Sequence, residues 1–149
     1  MEPPPERAPA PFPLRVQKFG GTSVGDLERI RKVAKRIERT VAEGSKVCVT
    51  VSAMGHTTDR LVATAREVTP RPDRRELDHL MATGEQVSMA LLALALQHLG
   101  VRARSFTGAQ AGLLTNGAFG SARIVRVDPA RLLAALLSEP ARLVPRSYP

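Results

Sequence analysis

Val16-Gln17-Lys18-Phe19-Gly20-Gly21-Thr22-Ser23-Val24-Gly25 decides how the rest of this chain is read. A short apolar run carries a lysine, passes into two adjacent glycines and two hydroxyls, and then opens an amphipathic helix. Strand, glycine turn and helix together aim backbone N–H groups at an anion. Glycine lets the backbone approach a ligand closely and take positive φ. Lys18 adds a full charge beside that nest. The lysine precedes the glycines, so the G-x-x-x-x-G-K-[ST] phosphate loop is not present. The stretch predicts a phosphate site at the mouth of an α/β domain.

Working outward, residues 14–19 are predicted as the first strand and residues 20–25 as the turn. Asp26 is the expected N-cap of the following helix, and Arg29 stands where a capping box would carry Glu or Gln. Leu27, Ile30, Ala34, Ile37 and Val41 make one apolar stripe at three- and four-residue steps. Arg29, Arg31, Lys32, Lys35, Arg36 and Arg39 fall mostly off it, as a basic exposed face. Glu28 and Lys32 form an i,i+4 pair, and Gly44 ends the helix.

Residues 46–52 are the predicted second strand. Val47, Val49 and Val51 lie on one side and Cys48 and Thr50 on the other, as in a parallel strand covered on both faces. Two strands joined by one long helix make a right-handed βαβ unit. The 52–59 loop leaves the carboxyl end of that strand, where open α/β sheets place their ligands. It is therefore expected beside the 20–25 turn. Asp59 or Thr58 caps a short helix running to Val68.

Residues 74–99 read as a long helical region interrupted near Gly84, and 87–96 is apolar nearly all round, as in a buried helix. Glu85 sits just after the glycine, near Met81, Val87 and Met89. A buried carboxylate there needs a cation or backbone donors, and an exposed one needs neither. Residues 101–106 are the predicted third strand, 107–117 a glycine-rich turn region and 124–127 a fourth strand. Asp128-Pro129 opens a last helix over 130–137, with Leu132, Leu133, Leu136 and Leu137 inward. Residues 1–13 hold half of the 12 prolines and are expected as a disordered, extended tail. Residues 14–140 make the folded part and 141–149 an irregular tail.

At 149 residues and 43% hydrophobic, the composition is that of one domain with a real core. No unbroken apolar run reaches the roughly 18 residues that span a bilayer, and no signal-peptide core is visible. A cytoplasmic protein without a membrane partner is expected. The net charge is +8, but four phenylalanines, one tyrosine and no tryptophan offer little to stack on bases. A solvated basic surface that attracts polyanionic small molecules is the favoured account, and nucleic-acid binding ranks last. Cys48 is the only cysteine, so neither an intrachain disulfide nor a cysteine metal cluster is expected. His56, His79 and His98 lack metal-ligand spacing, and no metal is assigned to side chains.

Taken together, KFGGTSV at 18–24, VSAMGHTTD at 51–59, MATGEQVS at 81–88, FTGAQAGLLT at 106–115 and ARIVRVD at 122–128 resemble aspartate kinase, in that order and spacing. The likeness runs over residues 16–137 and covers the first part of an aspartate kinase catalytic domain. It implies an α/β fold, a partial three-layer αβα sandwich of the amino-acid-kinase (carbamate-kinase-like) type around a mainly parallel sheet. It also implies transfer of the γ-phosphate of ATP to the side-chain carboxylate of L-aspartate, the step that opens the route to lysine, threonine and methionine. By motif match, Lys18 is the catalytic cation at the transferring phosphate. Phe19, Gly20 and Gly21 belong with it to the ATP site, the glycines giving backbone donors. Ser52, Thr58 and Glu85 hold the substrate, Glu85 as partner to the aspartate ammonium. Mg²⁺ is implied, held mainly through the ATP phosphates.

The family's later Arg-Gly-Gly-Ser-Asp segment, adenosine-binding segment and regulatory ACT domains do not occur in this sequence, and Phe119 replaces a histidine common in the family. The chain is accordingly expected to be incomplete and inactive by itself. Its partners beyond ATP and L-aspartate would be an oligomer mate or a complementing C-terminal half. Two alternatives remain: a related kinase for another acid, or a non-catalytic subunit.

Overall fold

A computed structural model describes residues 12–138. The expectations for the proline-rich segment up to residue 11 and for residues 139–149 lie outside the described residues. Strand β1 (Leu14–Phe19) pairs in parallel with β2 (Lys46–Val51), Lys18 opposite Thr50 and Phe19 opposite Val51. Helix α1 (Leu27–Ala42) connects them. It starts where extended Asp26 accepts a hydrogen bond from the Arg29 N–H at 2.8 Å, satisfying one orphan donor of the first turn. It stops at Gly44, whose φ of +88° suits glycine alone. Ile30, Val33, Ala34, Ile37 and Thr40 are buried, while the cations of the opposite face are exposed. Lys32 Nζ lies 2.7 Å from Glu28 Oε1. Leu27, expected on the stripe, is exposed, and Val33 completes the row instead.

Among the described residues the sheet carries helices on one face. Phe19 belongs to the core, with Val47, Val49 and Val51 packed against it. On the same face Gln17 Nε2 donates to Thr40 Oγ1 at 3.2 Å and Arg15 Nε to Ser45 Oγ at 3.3 Å. On the other face Val16 is 71% exposed. The expectation of a strand covered on both sides therefore fails among the described residues. Two layers of the sandwich are described, and on the other face Leu14 and Val16 stand exposed.

Helix α2 (Thr57–Val68) starts without a side-chain cap. Neither Asp59 nor Thr58 serves. The Asp59 carboxylate instead lies 3.2 Å from His56 Nδ1. Helix α3 (Arg74–His98) opens on Asp73, whose carboxylate accepts from the Arg75 and Glu76 N–H groups at 2.9 and 3.2 Å. It runs through Gly84 unbroken, contrary to the expected interruption. A Cβ on Gly84 would stand 3.0 Å from Ala53 Cβ and 3.3 Å from Thr57 Cγ2, so glycine serves a close approach here and not a break. Gly84, Ser88, Leu92 and Leu96 are buried in a row at four-residue steps, against α1, α2 and β2. Ser88 Oγ donates to the Gly84 carbonyl at 3.2 Å, which satisfies a hydroxyl cut off from water. All-round burial does not hold, since Leu94 is 61% exposed and Val87 is exposed too. By length and composition alone α3 could cross a membrane. Its row of Gly84, Ser88, Leu92 and Leu96 packs against α1, α2 and β2.

Residues 101–107 form no strand, correcting the expectation for 101–106. No strand lies alongside among the described residues, and the Ala103 carbonyl accepts from Gln97 Nε2 at 2.9 Å. Strand β3 (Leu113–Thr115) falls inside the expected turn region and pairs antiparallel with β4 (Ile124–Val127). Helix α4 (Ala130–Leu137) opens as read, Asp128 Oδ1 accepting from the Ala130 N–H at 3.1 Å, though Pro129 occupies the cap position. None of its residues is buried and Leu137 is 56% exposed. Of the four leucines expected inward, Leu132 and Leu136 are half-buried and Leu133 and Leu137 exposed, since no described element packs closely against the helix.

Candidate functional site

Parallel pairing places the carboxyl ends of β1 and β2 at one rim, and backbone contacts join the loops that leave them. The Ser52 N–H donates to the Phe19 carbonyl at 3.1 Å and the Gly55 N–H to the Gly21 carbonyl at 3.1 Å. A Cβ on Gly21 would stand 2.8 Å from the Ala53 carbonyl oxygen. One on Gly55 would stand 3.5 Å from the Gly25 carbonyl oxygen. The expected adjacency of the two loops holds, and two glycines permit it.

Within the turn, three consecutive carbonyls are engaged. Gly20 O accepts from the Ser23 N–H at 2.9 Å, Gly21 O from Gly55, and Thr22 O from Arg29 Nη1 at 2.6 Å. In a planar trans peptide the N–H points opposite to the carbonyl that precedes it. Holding the Gly20 and Gly21 carbonyls therefore turns the Gly21 and Thr22 N–H groups the other way. Neither donates to an acceptor among the described residues. Lys18 is exposed, and its Nζ lies 3.6 Å from where a Gly20 Cβ would stand. The turn thus carries two uncommitted N–H dipoles, with the Lys18 ammonium against its first glycine, groups of the kind that suit an anion.

The other predicted residues are distributed around this rim. Phe19 has its ring in the core and its carbonyl bound to Ser52, so it supports the turn from below. Ser52 and Thr58 are half-buried, and neither hydroxyl has a partner among the described residues. Glu85 is exposed and unpaired among the described residues, so no buried charge needs compensation. It follows Gly84, about 100° further round the helix, and Gly84 seats α3 on Ala53 and Thr57. The structure thus gathers Lys18, Gly20, Gly21 and Ser52 at the rim and seats the helices of Thr58 and Glu85 on the same loop.

Arg29 is the residue that pattern reading misses. Its signal was an arginine three places after an N-cap aspartate, within reach of the preceding turn. A hollow of about 470 Å³ between α3 and the 120–121 turn is lined by Arg74, Leu77, Asp78, Met81, Gly120 and Ser121. It includes none of the rim residues, and its Asp78 carboxylate is engaged by the Gly120 N–H.

Residues 13–145 match the amino acid kinase family, and the chain belongs to that family. Within it, the chain is similar to aspartokinases. It is 57% identical over 123 residues to the aspartokinase of Thermus thermophilus, covering 83% of this chain and 30% of that protein. The aspartokinase of Mycobacterium tuberculosis is 55% identical over 123 residues, with 83% and 29% covered. Among solved structures, aspartate kinase from Synechocystis matches with a TM-score of 0.62 and 58% identity, over 67% of this chain and 17% of that one. E. coli aspartokinase III in complex with aspartate and ADP matches in fold, with a TM-score of 0.63 at 24% identity over 85% and 37%. The chain spans about 30% of the length of the curated relatives it matches.

Proposed function

We propose that this chain supplies the phosphate-binding part of a kinase that phosphorylates the side-chain carboxylate of L-aspartate with ATP, giving 4-phospho-L-aspartate and ADP. The carrying observation is the pair of uncommitted N–H groups, Gly21 and Thr22, in a turn whose Gly20 lies against the Lys18 ammonium. In the transfer, a carboxylate oxygen bonds to the γ-phosphorus while the bond from that phosphorus to the ADP oxygen breaks. Phosphoryl transfer asks the protein for positioning and charge stabilisation rather than covalent chemistry. Lys18 and fixed N–H donors supply both without reorganising during the reaction. Ser52 and Thr58 would hold the amino acid through their unpartnered hydroxyls, and Glu85 its ammonium.

The rim's ammonium, N–H groups and hydroxyls suit phosphate oxygens rather than a bare cation. Mg²⁺ would arrive on the ATP phosphates and neutralise their charge. The similarity to aspartokinases, one of them solved with aspartate and ADP, supports this choice of substrates. A cytoplasmic place at the head of lysine, threonine and methionine synthesis goes with it.

The open sheet face at Leu14 and Val16 favours a second element: the chain works with a polypeptide that carries the nucleotide-binding half. The test is ATP titration of the purified chain, followed by assay of aspartate-dependent ADP release. The release is measured for the chain alone and after mixing with the C-terminal remainder of the Thermus thermophilus relative. Expected are ATP binding that Lys18→Ala weakens roughly tenfold to hundredfold, no turnover alone, and turnover on mixing. Turnover by the chain alone removes the need for a partner. Lack of Lys18-dependent ATP binding sinks the phosphate site.

A further inference from the structure

The spacing of α1 assigns Arg29 to a solvated basic face, but its guanidinium is committed elsewhere. Nη1 donates to the Thr22 carbonyl at 2.6 Å, and Nε lies 3.3 Å from Asp26 Oδ2. Asp26 Oδ1 meanwhile accepts the Arg29 main-chain N–H at 2.8 Å. One aspartate therefore caps the helix and aims the arginine back at the turn. The guanidinium passes close over Gly25, where a Cβ would stand 3.6 Å from Nη1.

Of the three consecutive carbonyls held in the turn, those of Gly20 and Gly21 are held by backbone donors. The Thr22 carbonyl is held by a side chain. The 22–23 peptide is thereby fixed at both ends, its N–H on Gly20 and its oxygen on Arg29. We propose that Arg29 is the positioning residue of the anion-binding turn: by holding the Thr22 carbonyl it keeps the Ser23 N–H on the Gly20 carbonyl, and so keeps the Gly21 N–H aimed outward. This rests on the phosphate-site reading above. A donor carrying full charge makes a stronger hydrogen bond than a neutral one. The Arg29–Asp26 ion pair is half exposed, so it adds little to global stability. What it fixes is direction. A lysine keeps the charge but has no planar fork with which to hold Asp26 and Thr22 at once.

The test uses the whole chain and the variants Arg29→Gln, Arg29→Lys and Asp26→Asn. Amide exchange at Ser23 and the resonances of Gly21 and Thr22 are read without ligand. Affinity is then read with inorganic triphosphate as probe. Losing one charge-assisted bond is expected to speed Ser23 exchange, and to weaken triphosphate binding, by about tenfold in Arg29→Gln. Arg29→Lys should weaken binding nearly as much despite its charge, and Asp26→Asn by less. The urea midpoint should stay close to that of the parent chain in both Arg29 variants. Unaltered Ser23 exchange in Arg29→Gln, or parent-like binding by Arg29→Lys, overturns the positioning role. Failure of the parent chain to bind triphosphate sinks the phosphate-site reading instead, and Ser23 exchange still reports whether Arg29 holds the turn.

Discussion

The N–H of Gly55 donates to the carbonyl of Gly21 at 3.1 Å, and this bond draws two loops from different strands into one rim. The approach leaves no room for a side chain on Gly21, where a Cβ would meet the Ala53 carbonyl oxygen at 2.8 Å. The obstacle is backbone, and Ala53 itself is only 4% exposed, so it cannot swing aside. Gly21→Ala should destabilise by about 1–3 kcal/mol, the usual penalty for overpacking. Gly20→Ala is the control. Its Cβ would meet only the flexible Lys18 ammonium, at 3.6 Å, and the change should stay within about 0.5 kcal/mol. Urea unfolding of both variants at matched slope decides it. Equal midpoints would mean that loop contact is not what requires glycine at position 21.

Gly84 poses two opposed effects inside α3. Alanine in a helix interior gains about 1 kcal/mol over glycine. Against that, its Cβ would lie 3.0 Å from Ala53 Cβ, tighter than ordinary contact. Gly84→Ala should therefore come out near neutral. Gly84→Val adds bulk toward Ala53 and Thr57 with no further helix gain, and should destabilise by about 1–3 kcal/mol. It should also shift the amide resonances of Ser52 and Thr58, because α3 would be levered off their loop. A Gly84→Val chain as stable as the parent would show that α3 is not seated on that loop.

These two glycines mark the boundary of what the sequence reveals. The βαβ unit was legible because its signals are local: Asp26 caps α1, Gly44 takes φ of +88°, and the apolar steps between them name the buried face. The meeting of the 20–25 and 52–59 loops was legible too, since parallel strands deliver both carboxyl ends to one rim whatever their side chains. Strand 101–106 was not, because a strand exists only in its pairing and the partner is not written in the segment. Leu94 and Leu137 show the same limit for burial. Apolarity states what can be covered, not what covers it. Gly84 was read as a break because propensity is local, whereas the demand for a missing Cβ comes from Ala53, thirty-one residues earlier in the chain. Arg29 was hidden because a cation off the apolar stripe is ordinarily solvated, and its tie to Thr22 depends on the path of the turn.

Lys18 is exposed and holds no ion pair among the described residues, so its charge is not needed for folding. Lys18→Met should leave the urea midpoint nearly unchanged. Its effect should appear in anion affinity, since a hydrogen bond to a charged group contributes about 1.5–3 kcal/mol, or roughly tenfold to hundredfold in Kd for triphosphate. Binding by the parent chain should weaken as salt rises, and binding by the variant should weaken less, because screening acts on the charge that was removed. Identical salt dependence in the two would place Lys18 outside the site.

Val16 tests the open face of the sheet. It stands 71% exposed on β1, beside Leu14 and opposite Cys48. An apolar group already in water gives up little when made polar, so Val16→Lys should change the stability of the chain by no more than about 0.5 kcal/mol. If a complementing polypeptide covers this face, the same change places an unpaired charge in the joint. Truncation or replacement at a desolvated contact of that kind costs upward of about 2 kcal/mol. Mixing the Val16→Lys chain with the C-terminal remainder of the Thermus thermophilus relative should then give at least about thirtyfold weaker association than the parent chain. Titration followed by size-exclusion chromatography with light scattering measures the difference. Equal association of the two chains would locate the partner's contact elsewhere, most plainly on the exposed hairpin β3–β4 and on Leu133 and Leu137 of α4.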